Sequence, residues 1–225
     1  QKDDTEVSIF GKQVSSNNYR DNSKGSEYSL GTNFIKHVDS QTDLGARFFF
    51  GQEKNKLPGA LPSIYLNTSP RNTQVPGYNY DADVKTASVT LFGNKRIDNV
   101  ELTVDFNSRA HSNTDAYSYD AHTVYSGYNN YANWHQSYSN SNSTTITNSF
   151  SPRVKISEFL ASGNTLLFGY DWLTSRKNGG GAKTDSGYDL VNWPYQIDNS
   201  NYDIKHHTGA SYVRDTFNIS STDQL

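Results

Sequence analysis

The sequence has no cysteine, which removes disulfides, thiolate metal sites and thiol catalysis together. It also lacks any run of about 20 apolar residues, the length a helix needs to cross a bilayer, so helical membrane spans are excluded. Helix-period stretches are absent. Basic charge is not in excess: the formal net charge is -3 and the pI is near 6.1, which gives no electrostatic case for nucleic acid. Apolar residues are few, with 33% hydrophobic content and a mean hydropathy of -0.79. That low average does not argue against strands with one apolar face, because only every second residue needs to be apolar. Aromatic residues are abundant: 16 Tyr, 11 Phe and 3 Trp are too many for a disordered chain.

The most informative stretch is Asn164 to Trp172. Leu166, Phe168, Tyr170 and Trp172 fall on one face of a strand, and Thr165, Leu167, Gly169 and Asp171 on the other. Seven further segments read as strands: 6–15, 27–38, 43–53, 83–93, 99–110, 143–157 and 205–219. Tyr28, Leu30, Phe34 and Val38 oppose Glu27, Ser29, Asn33 and His37. Leu44, Ala46, Phe48 and Phe50 oppose Asp43, Gly45, Arg47 and Gly51. Val100, Leu102, Val104 and Phe106 oppose Glu101, Thr103, Asp105 and Asn107. Ile146, Phe150, Val154 and Ile156 oppose Thr145, Thr147, Ser149, Arg153 and Lys155. Full charges on the second face are costly in a dry sandwich core and cheap on a wetted one.

The connections alternate in length. Residues 38–42, 93–98 and 157–163 are short and turn-like, whereas about 28 residues near 54–82, about 30 near 112–142 and about 27 near 177–204 lie between them. Structureless connections beyond roughly 12–15 residues are uncommon in compact domains. Short turns on one rim and long loops on the other are the pattern of outer-membrane barrels. The expectation is an all-β, antiparallel transmembrane β-barrel wall. Phe34, Phe48, Val104, Ile146, Phe168 and Tyr170 should face lipid, and Arg47, Glu101, Asp105, Arg153 and Asp171 the lumen.

Three motifs carry a family resemblance. Tyr19-Arg20-Asp21-Asn22-Ser23 closes the first hairpin. Leu57-Pro58-Gly59-Ala60-Leu61 and Ser69-Pro70-Arg71 sit in the next long loop. Ser151-Pro152-Arg153-Val154 leads across a turn into Leu167-Phe168-Gly169-Tyr170-Asp171. In this order and spacing they resemble the barrel of TonB-dependent outer-membrane receptors, over most of the chain from Val7 to Leu225. The resemblance implies a barrel of 22 strands, of which residues 1–225 supply about eight, and a plug domain absent from this chain. It implies residence in the bacterial outer membrane, contact with TonB through that plug, and uptake of a small-molecule metal chelate, a ferric siderophore first. It implies no catalysis and no resident cofactor. The chain opens in mid-pattern at Gln1, and Asp223-Gln224-Leu225 reads as a turn entering a further strand, so a portion of something longer is expected.

Loop 112–142 is the candidate ligand site. It holds Tyr117, Tyr119, Tyr125, Tyr128, Tyr131, Trp134, His135 and Tyr138 among Ser and Asn. Aromatic rings give large contact area at low conformational cost, with a polar tip on Tyr and Trp. The same rings could instead pack loop against loop or form an aromatic girdle. His111, His122, His135, His206 and His207 match no metal-ligand spacing, and His206 and His207 in one strand would point to opposite faces. Gly179-Gly180-Gly181 before Lys183-Thr184 departs from a phosphate-binding loop at Lys177 and Ala182, and reads as a flexible loop tip. Asp120, His122 and a nearby Ser carry no nucleophile signature. A secreted or surface β-rich adhesin or glycan-binding module, and a passive porin, are the alternatives that share these aromatic loops.

Overall fold

The computed structural model describes residues 4–19, 23–57, 79–120, 134–160, 163–188 and 196–217. Eight strands follow one another: β1 (Thr5–Ser16), β2 (Gly25–Asp39), β3 (Thr42–Lys56), β4 (Asn79–Ile97), β5 (Val100–Asp120), β6 (Trp134–Ser157), β7 (Asn164–Tyr188) and β8 (Gln196–Phe217). They form one sheet in sequence order, each antiparallel to the next. No helix occurs among the described residues.

Register puts the alternation of the sequence onto two faces. Val7, Phe34, Ala46, Leu91, Phe106, Phe150 and Trp172 stand opposite one another across seven strands, a continuous apolar row. The neighbouring row on the other face reads Ser8, Asn33, Arg47, Thr90, Asn107, Ser149, Leu173 and Thr208. All eleven residues assigned to faces from sequence fall on the expected sides by this register. Leu166 is the one buried hydrophobic residue among the described positions, while Phe34, Phe48, Phe168 and Tyr170 are exposed. A sheet with no apolar core of its own must cover its apolar face with something else. In a barrel wall that cover is lipid, and the polar face lines the interior; the two faces are therefore outer and inner.

Three tight turns share one rim. Between β2 and β3, Asp39 Oδ1 accepts from Gln41 N at 2.8 Å and Oδ2 from Thr42 Oγ1 at 3.0 Å. These bonds, the backbone one first, lower the Asp39 pKa below its usual value. β4 and β5 meet through Asp98-Asn99 alone, with Asp98 at φ 51°. Thus 93–97, read from sequence as turn, are strand, because they pair with 100–104. Between β6 and β7, Glu158 N donates to Asn164 O at 2.6 Å, and Gly163 takes φ 86° where a side chain would strain. Pro152 sits mid-strand in β6, and the β6–β7 pairing lapses between Phe150–Trp172 and Arg153–Gly169. A missing N–H explains that gap.

The other rim corrects the sequence reading. The expected loops 54–82, 112–142 and 177–204 shrink to connections of 57–78, 121–133 and 189–195. Residues 112–120, 134–142 and 177–188 continue β5, β6 and β7. Backbone ladder bonds do not require apolar side chains, so pairing persists where outer positions turn to Asn, Ser and Gly. Gly179, Gly180 and Gly181 are accordingly strand, opposite Ser143, Asn142 and Ser141, and not a loop tip.

Candidate functional site: the inner face of the wall

Charged and aromatic side chains fill the inner face in three tiers. Nearest the turns, Lys155 pairs with Glu101 at 3.6 Å, and Asn94 Nδ2 donates to Glu101 Oε1 at 2.9 Å. Arg153 stands 3.7 Å from Asp105, and its Nε donates to the Tyr212 hydroxyl at 3.1 Å. In the middle tier, Arg47 Nε donates to Asn33 Oδ1 at 3.3 Å and its guanidinium lies 4.5 Å above the ring of Phe92. Such contacts fix side-chain positions more than they stabilise the fold, since these groups remain partly exposed to solvent.

Large rings sit on this polar face because glycines lie across from them. Phe92 covers Gly45, Tyr212 covers Gly169 and Phe10 covers Gly31, each so closely that an added Cβ would collide with the ring. Strand alternation alone would have placed aromatics on the outer face. The run Phe48-Phe49-Phe50 is where it fails, with Phe49 on the inner face beside Gly51. A glycine at the paired position is the signal that locates such rings.

Above the apolar band lies the third tier. Tyr80 and Tyr117 stand directly opposite each other. The Tyr80 hydroxyl donates to Asp115 Oδ1 at 3.0 Å, and Asn113 Nδ2 donates to Asp115 Oδ2 at 2.6 Å. His111 Nδ1 shares a hydrogen bond with Thr86 Oγ1 at 3.0 Å. Asn113 Oδ1 is buried with no hydrogen-bond partner among the described residues. Two phenols, a carboxylate, an amide and an imidazole thus gather on one inner patch, suited to hydrogen-bonding a polar solute. Sequence reading weighed His111 only as a metal ligand and did not single out Tyr80, Asn113 or Asp115, because the pairing of β4 with β5 is what brings them together.

The eight aromatic candidates do not form one loop. Tyr117 is a half-buried inner-face residue of β5. Tyr138 is on the outer face of β6, 48% exposed, opposite Ser118 and Thr184, so the wall separates it from Tyr117. Tyr119 pairs with Ser137 in β5–β6, and Trp134 and His135 begin β6 opposite Tyr188 and Gly187. These five belong to strands because the ladder runs past the apolar band. Tyr125, Tyr128 and Tyr131 lie outside the described residues, as does His122. His206 and His207 fall on opposite faces, opposite Ser175 and Thr174.

No family model matches the sequence, and no curated protein matches it. Solved structures do match. The FpvAI–pyocin S2 complex superposes with a TM-score of 0.64 at 11% identity, covering 96% of this chain and 32% of that one. The RagAB peptide transporter superposes with a TM-score of 0.59 at 10% identity, covering 95% of this chain and 28% of that one. The chain therefore spans about a third of the length of these two structures. At this identity the likeness is one of fold: eight consecutive strands of an outer-membrane β-barrel wall. One of these matched structures is described as a peptide transporter, and the likeness to it extends to the fold alone.

Proposed function

We propose that this chain is part of the barrel of a TonB-dependent outer-membrane receptor that takes up a metal chelate, a ferric siderophore first. The observation that carries this reading is the two-faced sheet without an apolar core: a lipid-compatible outer face backed by an inner face of bonded charges, phenols and amides. A soluble adhesin or glycan-binding sandwich would need a second layer over Phe34, Phe48 and Phe168, and no such layer occurs among the described residues. A passive porin shares the wall, and is distinguished by energetics rather than by fold. The receptor would be closed by a plug domain outside this chain and driven through that plug by TonB. Tyr80, Tyr117, Asn113 and Asp115 would line the external approach, together with Tyr125, Tyr128, Tyr131 and Trp134.

The test is uptake by cells expressing the whole protein, with and without TonB. Ferric siderophores should enter only with TonB, whereas a porin would pass solutes in both strains. RagAB is described as a peptide transporter, so an oligopeptide is the control cargo. TonB-dependent entry of the peptide alone would overturn the chelate reading and keep the receptor class.

A further inference from the structure

We propose that the inner face of β5–β7 holds a tetrahedral oxyanion between Arg109 and Lys177, the phosphate or sulfate group of a solute passing along the wall. Cross-strand register lays the site out as two adjacent inner rows. The first reads Ser88, Arg109, Thr147, Ser175 and His206. The second reads Thr86, His111, Thr145, Lys177 and Ile204. Arg109 and Lys177 are thus two strands and two residues apart, about 12 Å between Cα atoms at a strand spacing of about 4.8 Å and a rise of about 3.3 Å. Both side chains are exposed, and long enough to converge over the hydroxyls of Thr145, Thr147 and Ser175 that lie between them.

These two cations lack the counter-ions that the rest of the inner wall supplies. Lys12, Arg153 and Lys155 each meet a carboxylate on the same face, at Glu27, Asp105 and Glu101. The Arg109 guanidinium has no hydrogen bond or ion pair among the described residues. Lys177 has only the ring of Tyr202, with Nζ 5.6 Å from its centroid. No carboxylate occupies an inner position of β4 from Val84 to Thr90, β5 from Asn107 to Asn113, β6 from Ser139 to Ser151, β7 from Leu173 to Lys183 or β8 from Tyr202 to Ala210. Asp105, Asp115 and Asp171 stand beyond Arg109, His111 and Ser175, each about 13 Å along its strand. Asp105 is already engaged by Arg153, and Asp115 by Tyr80 and Asn113. Uncompensated positive charge on one stretch of a wall raises the local concentration of anions.

The lining between the cations selects the shape of the anion. Every inner position of β6 from Ser139 to Ser151 is Ser or Thr. Thr147 and Ser175 share one hydrogen bond at 3.3 Å, which leaves one of their two hydroxyl protons for a ligand. His111 is bonded to Thr86 through Nδ1 and His206 to Thr208 through Nε2, so each keeps one ring nitrogen for the site. A guanidinium, an ammonium and these hydroxyls offer more donors than the roughly four lone-pair sites of a carboxylate accept. Phosphate or sulfate adds the oxygens that take up the surplus, and matches the guanidinium fork. This inference rests on the inner face being the passage side of the proposed wall, and not on any particular cargo.

The test is titration of inorganic phosphate into the whole protein in mild detergent at low ionic strength, followed by phosphorus NMR line width. Wild type should broaden the resonance, and sulfate should reverse the broadening at concentrations about tenfold lower than acetate. Arg109→Gln/Lys177→Gln should weaken phosphate binding by about tenfold or more, the scale of lost charge-assisted bonds. Arg109→Lys/Lys177→Arg should keep most of it, and Lys205→Gln, on the outer face of β8, should change nothing. Equal competition by acetate and sulfate overturns the proposal, and needs no variant to fold. So does undiminished binding by the Gln variant. Absence of phosphate binding in wild type, with a lower melting temperature in the Gln variant, would mean that a carboxylate elsewhere in the protein holds these cations, and also overturns it. The readout needs neither TonB nor transport, so failure of siderophore uptake would leave this result standing.

Discussion

The two halves of β7 have one backbone and two solvents. From Leu166 to Trp172 every outer position is a large apolar or aromatic residue. From Thr174 to Ala182 the outer positions are Thr174, Arg176, Asn178, Gly180 and Ala182. Apart from the break opposite Pro152, pairing to β6 and β8 continues through both halves. β7 has 25 residues, about 80 Å at about 3.3 Å per residue, several times the height of an apolar band of about 25 Å. Hydrophobic alternation thus reports which part of a strand meets lipid, and says nothing about where the strand stops.

That difference can be broken most decisively with a charge. Phe168→Arg places a guanidinium in the apolar band, at a cost of about 2–4 kcal/mol near the midplane. Folding yield of the whole protein into bilayers should fall sharply, read by heat-modifiable migration. Asn142→Arg, on the outer face of the extension, should change stability by less than about 0.5 kcal/mol. Asp171→Asn, on the inner face, should likewise be tolerated. Equal sensitivity at 168 and 142 would mean that the two halves do not differ in solvent.

A second contrast concerns the inner face within the band. Gly169→Val would drive a side chain into the Tyr212 ring that covers it, costing about 1–3 kcal/mol by overpacking. Tyr212→Ala should relieve most of that cost in the double variant while releasing Arg153 from its hydroxyl partner. Urea midpoints of the four proteins in detergent check the coupling. Additive effects would mean that the ring is free to move aside.

The same contrast explains what was legible. The eight strands, their faces and the three tight turns followed from periodicity, because within the band the apolar positions leave only one register. The strand extensions were not legible, since Ser, Asn and Gly at 139–143 and 178–181 resemble loop composition. The inner patch of Tyr80, His111, Asn113 and Asp115 was invisible because cross-strand register, not spacing along the chain, assembles it. Of the aromatic candidates, Tyr117 reaches that inner wall and Tyr138 does not. The loop hypothesis is sharpened accordingly. Tyr125→Ala/Tyr128→Ala/Tyr131→Ala/Trp134→Ala should leave surface level normal and reduce chelate uptake, whereas Tyr138→Ala should leave uptake unchanged. Normal surface level with unaltered transport in the first variant would reduce those rings to packing.

The smallest effect lies just above the band, where Arg176 Nε and Nη2 donate to Asp203 Oδ1 and Oδ2 at 3.0 and 2.9 Å. The Arg176 hydrogen bonds hold the Asp203 carboxyl below its usual value of 3.8, and raise that of Arg176. A carboxyl with a depressed folded-state pKa contributes stability above its unfolded value, and that contribution disappears as pH falls through the folded value. Wild type and Asp203→Asn should therefore differ slightly from pH 5 to 8, the gap narrowing below the unfolded value near 3.8 and closing as pH falls through the depressed folded value. Both groups are solvent-exposed, so raising salt should shrink the gap at neutral pH. Carboxyl titration by NMR in detergent locates the folded value directly. A midpoint at or above 3.8 would show that the pair is not populated, and that β7 and β8 are joined there by backbone bonds alone.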